Sequence, residues 1–303
     1  MISYNTKDWF TFIFRFHKAE TFRTLLPIMF AIGVYAALIG YAEVEYWKLS
    51  ENSYVKNITI MHGMLGFVIS LLLVFRTNTA YDRWWEGRKL WGSLVNNSRN
   101  FSIKLSAILE DENDKHFFRK IIPSYANVLQ KHLKNEDTAK QLFEDLDLEI
   151  DHHKHKPNQV AMLMFQKINE LYVAKKITGD QLIILNAEIQ SFSEVCGACE
   201  RIKNTPIPYS YSAFIKKFIF FYVMTLPFGY SFSLGYYVAP VVVFIFYVLA
   251  SLELIAEEIE DPFGGDVNDL PTKKISEKIK SGELELDDIT IELFSNNLDK
   301  LGP

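Results

Sequence analysis

Cysteine is scarce in this 303-residue chain: Cys196 and Cys199 are the only two. Their Cys-Gly-Ala-Cys spacing lacks the second pair that a structural zinc site needs, so they read as buried helical thiols in a reducing compartment rather than as zinc or redox ligands. Enzyme signatures are missing as well. There is no GxSxG, no P-loop, no GxGxxG followed by an acid and no HExxH, and no catalytic role is expected. A net charge of −5 with no long basic run excludes a nucleic-acid surface. The opening residues MISYNTKDWFTFIFRFHK lack the basic, apolar and small-residue order of a signal peptide. Between residues 84 and 203 the only glycines are Gly87, Gly92, Gly179 and Gly197, which disfavours a β architecture there.

Long apolar runs are what the chain does have. Mean hydropathy is close to zero only because apolar and charged residues are segregated, with about residues 24–75 and 218–252 apolar and the block between them densely charged. Ile58 to Phe75 is eighteen residues without a formal charge, ended by Arg76, Asp82 and Arg83. Thr24 to Ala42 is nineteen more, which at 1.5 Å per residue matches a hydrocarbon core of roughly 30 Å. Phe218 to Ser251 is thirty-four, too long for one span. Broken by Pro227, Gly229, Gly235 and Pro240, it reads as two spans turning near Ser231–Gly235. The chain is therefore expected to be all-α, with four membrane helices and a large helical cytosolic region. Its parts are an aromatic and basic interfacial segment at 1–23, a first membrane hairpin at 24–75 and a helical cytosolic block at 76–217. A second hairpin at 218–252 and an acidic turn with a C-terminal strap at 253–303 complete it.

Lys/Arg counts set the orientation. Residues 1–23 and 76–89 carry four each, whereas the connector 43–56 carries three Glu and two Lys, which places both termini in the cytoplasm of a multi-pass inner-membrane protein. In the cytosolic block, helices are expected near 79–109, 114–134, 137–150, 158–176 and 179–203, and the two prolines of Asn204–Pro208 stop the last of them.

Three groups of residues carry candidate chemistry. Phe67, Leu71 and Phe75 recur every four residues and form one apolar helical stripe, facing lipid, a partner helix or a pore. Glu257, Glu258, Asp261, Asp266 and Asp269 flank a Pro-Phe-Gly-Gly turn and offer oxygen ligands to a hard cation; the plainer reading is an acidic helix end with a capping turn. His152, His153 and His155 have the composition of a transition-metal site, but their Pro/Lys-flanked break reads as a solvated loop.

These residues resemble the bestrophins. Arg83-Trp84-Trp85 stands eight residues after Phe75, Cys196-Gly197 lies eleven before Pro208, and Asp261-Pro262-Phe263-Gly264 follows the last span, so the resemblance runs in order over essentially the whole chain. It is similar to the bacterial branch, which lacks a long C-terminal extension. The resemblance implies a homopentameric ion channel in the lipid bilayer, with second helices lining the pore and an apolar neck on Phe67, Leu71 and Phe75, opened by slight helix rotation. It implies conduction of small inorganic ions: chloride and other anions in animal members, cations in some bacterial relatives. No cofactor is required. The animal calcium clasp falls on Glu258, Asp261, Asp266 and Asp269, with Asp261 where the family has asparagine and Glu258 where it has glutamine, and these departures leave calcium gating open. A second, cytosolic constriction falls by gap-free counting on Asp180, beside Ile183 and Ile184. The rival reading from a different class is a membrane-anchored interaction or sensor protein whose spans only tether it.

Overall fold

In a computed structural model, residues 20–47, 57–136, 151 and 153–282 are described, and among them every regular element is helical. The interfacial segment expected at 1–23, the helix expected at 137–150 and the end of the strap therefore fall wholly or largely outside the described residues. The chain divides into two compact units: a membrane unit within 2–83 and 206–261, and a helical unit within 84–205 and 262–303. Residues 76–83 and 206–217 thus join the membrane unit rather than the block expected at 76–217. The reason is chemical: Arg76 and Ile215 are buried there.

Four helices are long and apolar enough to cross a membrane. Helix α1 (Glu20–Tyr41) runs into a π-helical turn, Ala42–Tyr46. Helix α2 (Ile58–Ile108) is one unbroken element of 51 residues. The separate cytosolic helix expected from about residue 79 is its continuation. Thr77 and Thr79 keep to the helix by returning their hydroxyls to the carbonyls of Leu73 and Phe75, and the charge at Arg76 is neutralised inside the unit, so it does not end the helix. Helices α3 (Glu112–Leu133), α4 (Lys156–Val173) and α5 (Gly179–Asn204) follow, then α6 (Tyr209–Leu234) and α7 (Val238–Glu260). A last helix, α8, covers 272–282.

Within the membrane unit, α1, α6 and α7 bury Ile32, Ala36, Ile219, Val223, Val242 and Phe246 in one apolar core that also takes Ile69 and Leu73 from α2. The Tyr35 hydroxyl donates to Met224 O at 2.9 Å. The expected turn between the last two spans falls at Gly235, whose φ of +53° lies in the left-handed region that glycine enters without steric cost.

In the helical unit, α3 begins at Glu112, two residues before the expected 114, because Asp111 is its N-cap and accepts the Asn113 N–H at 2.9 Å. Helix α5 begins with a capping box in which Thr178 and Gln181 exchange hydrogen bonds. The core stacks aromatics edge to face: Phe101 on Phe118 at 5.7 Å and Tyr125 on Phe192 at 5.0 Å between ring centroids, with the Tyr125 hydroxyl donating to Phe192 O. Cys196 and Cys199 are buried thiols in this core; burial, reinforced by the Glu200 carboxylate, pushes Cys196 up to about 12 and raises Cys199 too.

Buried Asp114 takes Lys167 at 2.7 Å and Lys176 at 2.5 Å. Burial pushes its carboxyl up, but the two ammonium groups outweigh that and hold it below the ordinary carboxylate range, while Lys176, donating to Asp111 and Asp114, is raised to about 12. An acid whose folded value is depressed stabilises fully above its unfolded value and loses that contribution as pH falls through the folded one. Stability of the helical unit is therefore expected to drop below about pH 4, and Asp114→Asn to cost about 1.5–3 kcal/mol at neutral pH and to flatten that drop. Thermal unfolding followed by circular dichroism between pH 3 and 7 checks both.

Candidate pore-lining site

A helix packed on one side must leave its other side for something else, and α2 makes the division sharply. His62, Ile69, Leu73, Arg76 and Ala80 are buried. At 100° per residue they share one face. Phe67, Leu71 and Phe75 are 71%, 45% and 56% exposed, and their stripe lies about 170° round the helix from the packed face. Ile60 and Met64 extend the stripe towards the N-terminus, and Asn78 and Asp82, both exposed, extend it the other way. Of the three faces open to the stripe in the sequence, a partner helix of the same subunit is ruled out among the described residues. What remains is lipid or a pore.

The packed face is anchored by polar contacts, of which those of Arg76 are the most enclosed. Thr59 donates to Gly229 O at 3.0 Å, and His62 Nε2 lies 2.9 Å from the Thr225 hydroxyl. Arg76, 1% exposed, holds Glu260 at 2.6 Å and Glu253 at 3.4 Å. The other Glu260 oxygen accepts the Ile207 N–H at 2.6 Å, and the Glu260 carbonyl accepts from Arg83 Nε at 2.9 Å. Lys216 pairs with Glu257 at 2.8 Å. The sequence pattern shows Arg76 only as a charge ending an apolar run and Glu257, Glu258 and Asp261 only as an acidic helix end. The signal that could have joined them was the cost of a lone charge at the end of an apolar run, which demands a carboxylate from another span.

The remaining motif residues are placed as follows. Pro208 is the N-cap of α6, its carbonyl accepting the Tyr211 N–H at 2.9 Å. Trp84 donates its indole N–H to Asn268 O at 3.1 Å, while Trp85 is exposed. Pro262 and Phe263 are buried, Gly264 turns beside them, and Pro262 O accepts the Leu270 N–H at 3.0 Å. This turn sits against Gly87 of α2, where a Cβ would come within 3.1 Å of both Phe263 and Leu270. Glu258 is half-buried on α7, Asp261 ends that helix, and Asp269 accepts the Asp266 N–H at 2.6 Å. Among the described residues, one set of three His, Cys, Asp or Glu side chains brings its ligand atoms together, and it is His132, His155 and Glu200 rather than the acidic turn.

An exposed apolar stripe on a helix long enough to cross a membrane is a surface for lipid or for other membrane helices. The family model for bacterial and fungal bestrophin proteins matches residues 1–285. The chain is 36% identical over 299 residues to a voltage-dependent anion channel-forming protein of Nostoc sp., covering 94% of this chain and 92% of the relative. It is 29% identical over 296 residues to the voltage-dependent anion channel-forming protein YneE of Escherichia coli, covering 95% and 94%. Its fold matches a variant of a bacterial bestrophin homolog from Klebsiella pneumoniae with a TM-score of 0.75 at 25% identity, over 86% of this chain and 98% of the other. The chain belongs to the bestrophin family, and its function is that of an ion channel in a membrane.

Removing Arg76 strands two carboxylates in an apolar unit, so Arg76→Gln is expected to cost about 3–5 kcal/mol, of which Arg76→Met combined with Glu253→Leu recovers a part. Thermal denaturation of the detergent-solubilised protein measures both, and an unchanged midpoint in Arg76→Gln would sink the argument.

Proposed function

We propose that five copies assemble around a central pore lined by α2, with Phe67, Leu71 and Phe75 forming three stacked apolar rings that make its neck. The observation that carries this reading is the exposure of the three residues on the face of α2 opposite its packed face. A second copy of the same stripe is the natural cover for large aromatic side chains, and five-fold repetition turns each residue into a constriction that blocks ions by dewetting. In this reading the protein lies in the inner membrane with both termini in the cytoplasm, as the Lys/Arg distribution favours. Bilayer lipid, small inorganic ions and further copies of the chain are its partners. It needs no cofactor, calcium at the acidic turn included, and no catalysis is proposed. In the helical unit Ile183 and Ile184, both exposed on the first turns of α5, suit a second constriction better than Asp180, because apolar side chains are what a dewetting ring requires.

The relatives named above are called anion channel-forming, and anion conduction is the first reading for this chain. One observation favours cations instead. Asp82 lies on the same stripe as the neck, exposed, and a ring of carboxylates beside a constriction concentrates cations.

Flux through proteoliposomes tests the neck: Phe67→Ala and Leu71→Ala are each expected to raise ion flux several-fold at equal protein density, and the absence of flux in wild type and both variants would leave the spans as a tether. Reversal potentials under a salt gradient test the sign. A potential near that of chloride and insensitive to Asp82→Asn supports anion conduction. A cation potential that moves towards chloride in Asp82→Asn supports the carboxylate ring.

A further inference from the structure

We propose that His132, His155 and Glu200 form a transition-metal site in the helical unit, with zinc the ion whose chemistry fits best. Three helix ends meet there: His132 is in the last turn of α3, His155 is the N-cap of α4, and Glu200 is near the C-terminus of α5. His132 Nε2 lies 2.6 Å and His155 Nε2 2.7 Å from the same oxygen, Glu200 Oε1, although the residues stand 68 and 45 positions from Glu200 in the chain. The two imidazole rings are 4.6 Å apart between centroids. All three side chains are half-buried, open enough to admit an ion and enclosed enough to hold their rotamers.

Two imidazole nitrogens and one carboxylate oxygen are the donors of a borderline ion, and a hard cation such as calcium would forgo both nitrogens. Three protein ligands leave the fourth tetrahedral position to water. The present separations are those of hydrogen bonds; an ion bound at about 2.0–2.1 Å would spread each donor pair to about 3.3 Å, a movement that half-exposed side chains can make by rotation. His155 Nδ1 accepts the Asn158 N–H at 3.2 Å, which leaves the ring proton on Nε2, donated to Glu200. Coordination through Nε2 moves that proton to Nδ1 and gives up the long cap bond, so no net proton need leave His155. Of the described histidines of that run, His155 belongs to the site, while His153 stays exposed, its backbone N–H on Asp151.

Full-length protein in detergent, stripped with a chelator and titrated with Zn²⁺ and separately with Co²⁺, tests the site. Wild type is expected to bind one zinc per subunit by calorimetry and elemental analysis, to unfold at higher temperature when loaded, and to give visible cobalt bands without thiolate charge transfer in the near ultraviolet. Glu200→Gln, which keeps the shape and a hydrogen-bond acceptor, and His132→Ala are each expected to weaken zinc binding at least about 100-fold, whereas His153→Ala leaves it unchanged. Equal affinity in wild type and Glu200→Gln overturns the proposal, as does a thiolate band, which would assign the ion to Cys196 and Cys199. Circular dichroism of the Glu200→Gln variant separates loss of the site from loss of the fold.

Discussion

A guanidinium 1% exposed cannot be left alone in an apolar unit, and much of the membrane unit is arranged around that constraint. Arg76 draws Glu253 and Glu260 from α7 to α2. Glu260 in turn fixes the backbone of Ile207, just before α6 begins, and takes Arg83 about two turns further along α2. One buried charge thus ties three of the four long helices, and it does so at the end of the apolar run where hydrophobic packing alone specifies helix rotation least. Once α2 is fixed in rotation, the side facing away from Arg76 is settled too, and that side carries Phe67, Leu71 and Phe75.

Much of this was legible in the residues. Uncharged runs placed the four spans, the Pro/Gly content of 227–240 placed the turn that Gly235 makes, and the i, i+4 spacing picked out the stripe that α2 leaves exposed. Where the reading failed, it failed for want of partners distant in sequence. Arg76 looks like a stop because a local pattern cannot see a carboxylate 177 residues away, and the separate helix expected from about residue 79 has the same cause. His155 looked like a loop residue because its two partners lie on α3 and α5. Period and composition report which face of an element is apolar; they do not report what closes over a polar one.

The two groups of candidate ligands show the same contrast. The acidic turn is conspicuous in sequence, five carboxylates within a short stretch, yet Asp269 is engaged with its own backbone at Asp266. The histidine and glutamate that meet His155 are inconspicuous, one residue apiece in long charged helices. Density of like residues in sequence measures local repulsion as much as it measures a site, whereas convergence of three helix ends on one oxygen is a tertiary fact.

Gly87 adds a restriction of a mechanical kind. With Pro262, Phe263 and Leu270 pressed into the space where a side chain would stand, α2 is keyed at that level like a shaft in a slot. Rolling the helix by one residue, about 100°, would drive Glu86 or Arg88 into the slot. Rolling this part of α2 past the turn by a residue is thereby barred. A side chain at that position would have to displace the Pro262–Leu270 turn, so the bare backbone of Gly87 is what lets this part of the helical unit close on α2.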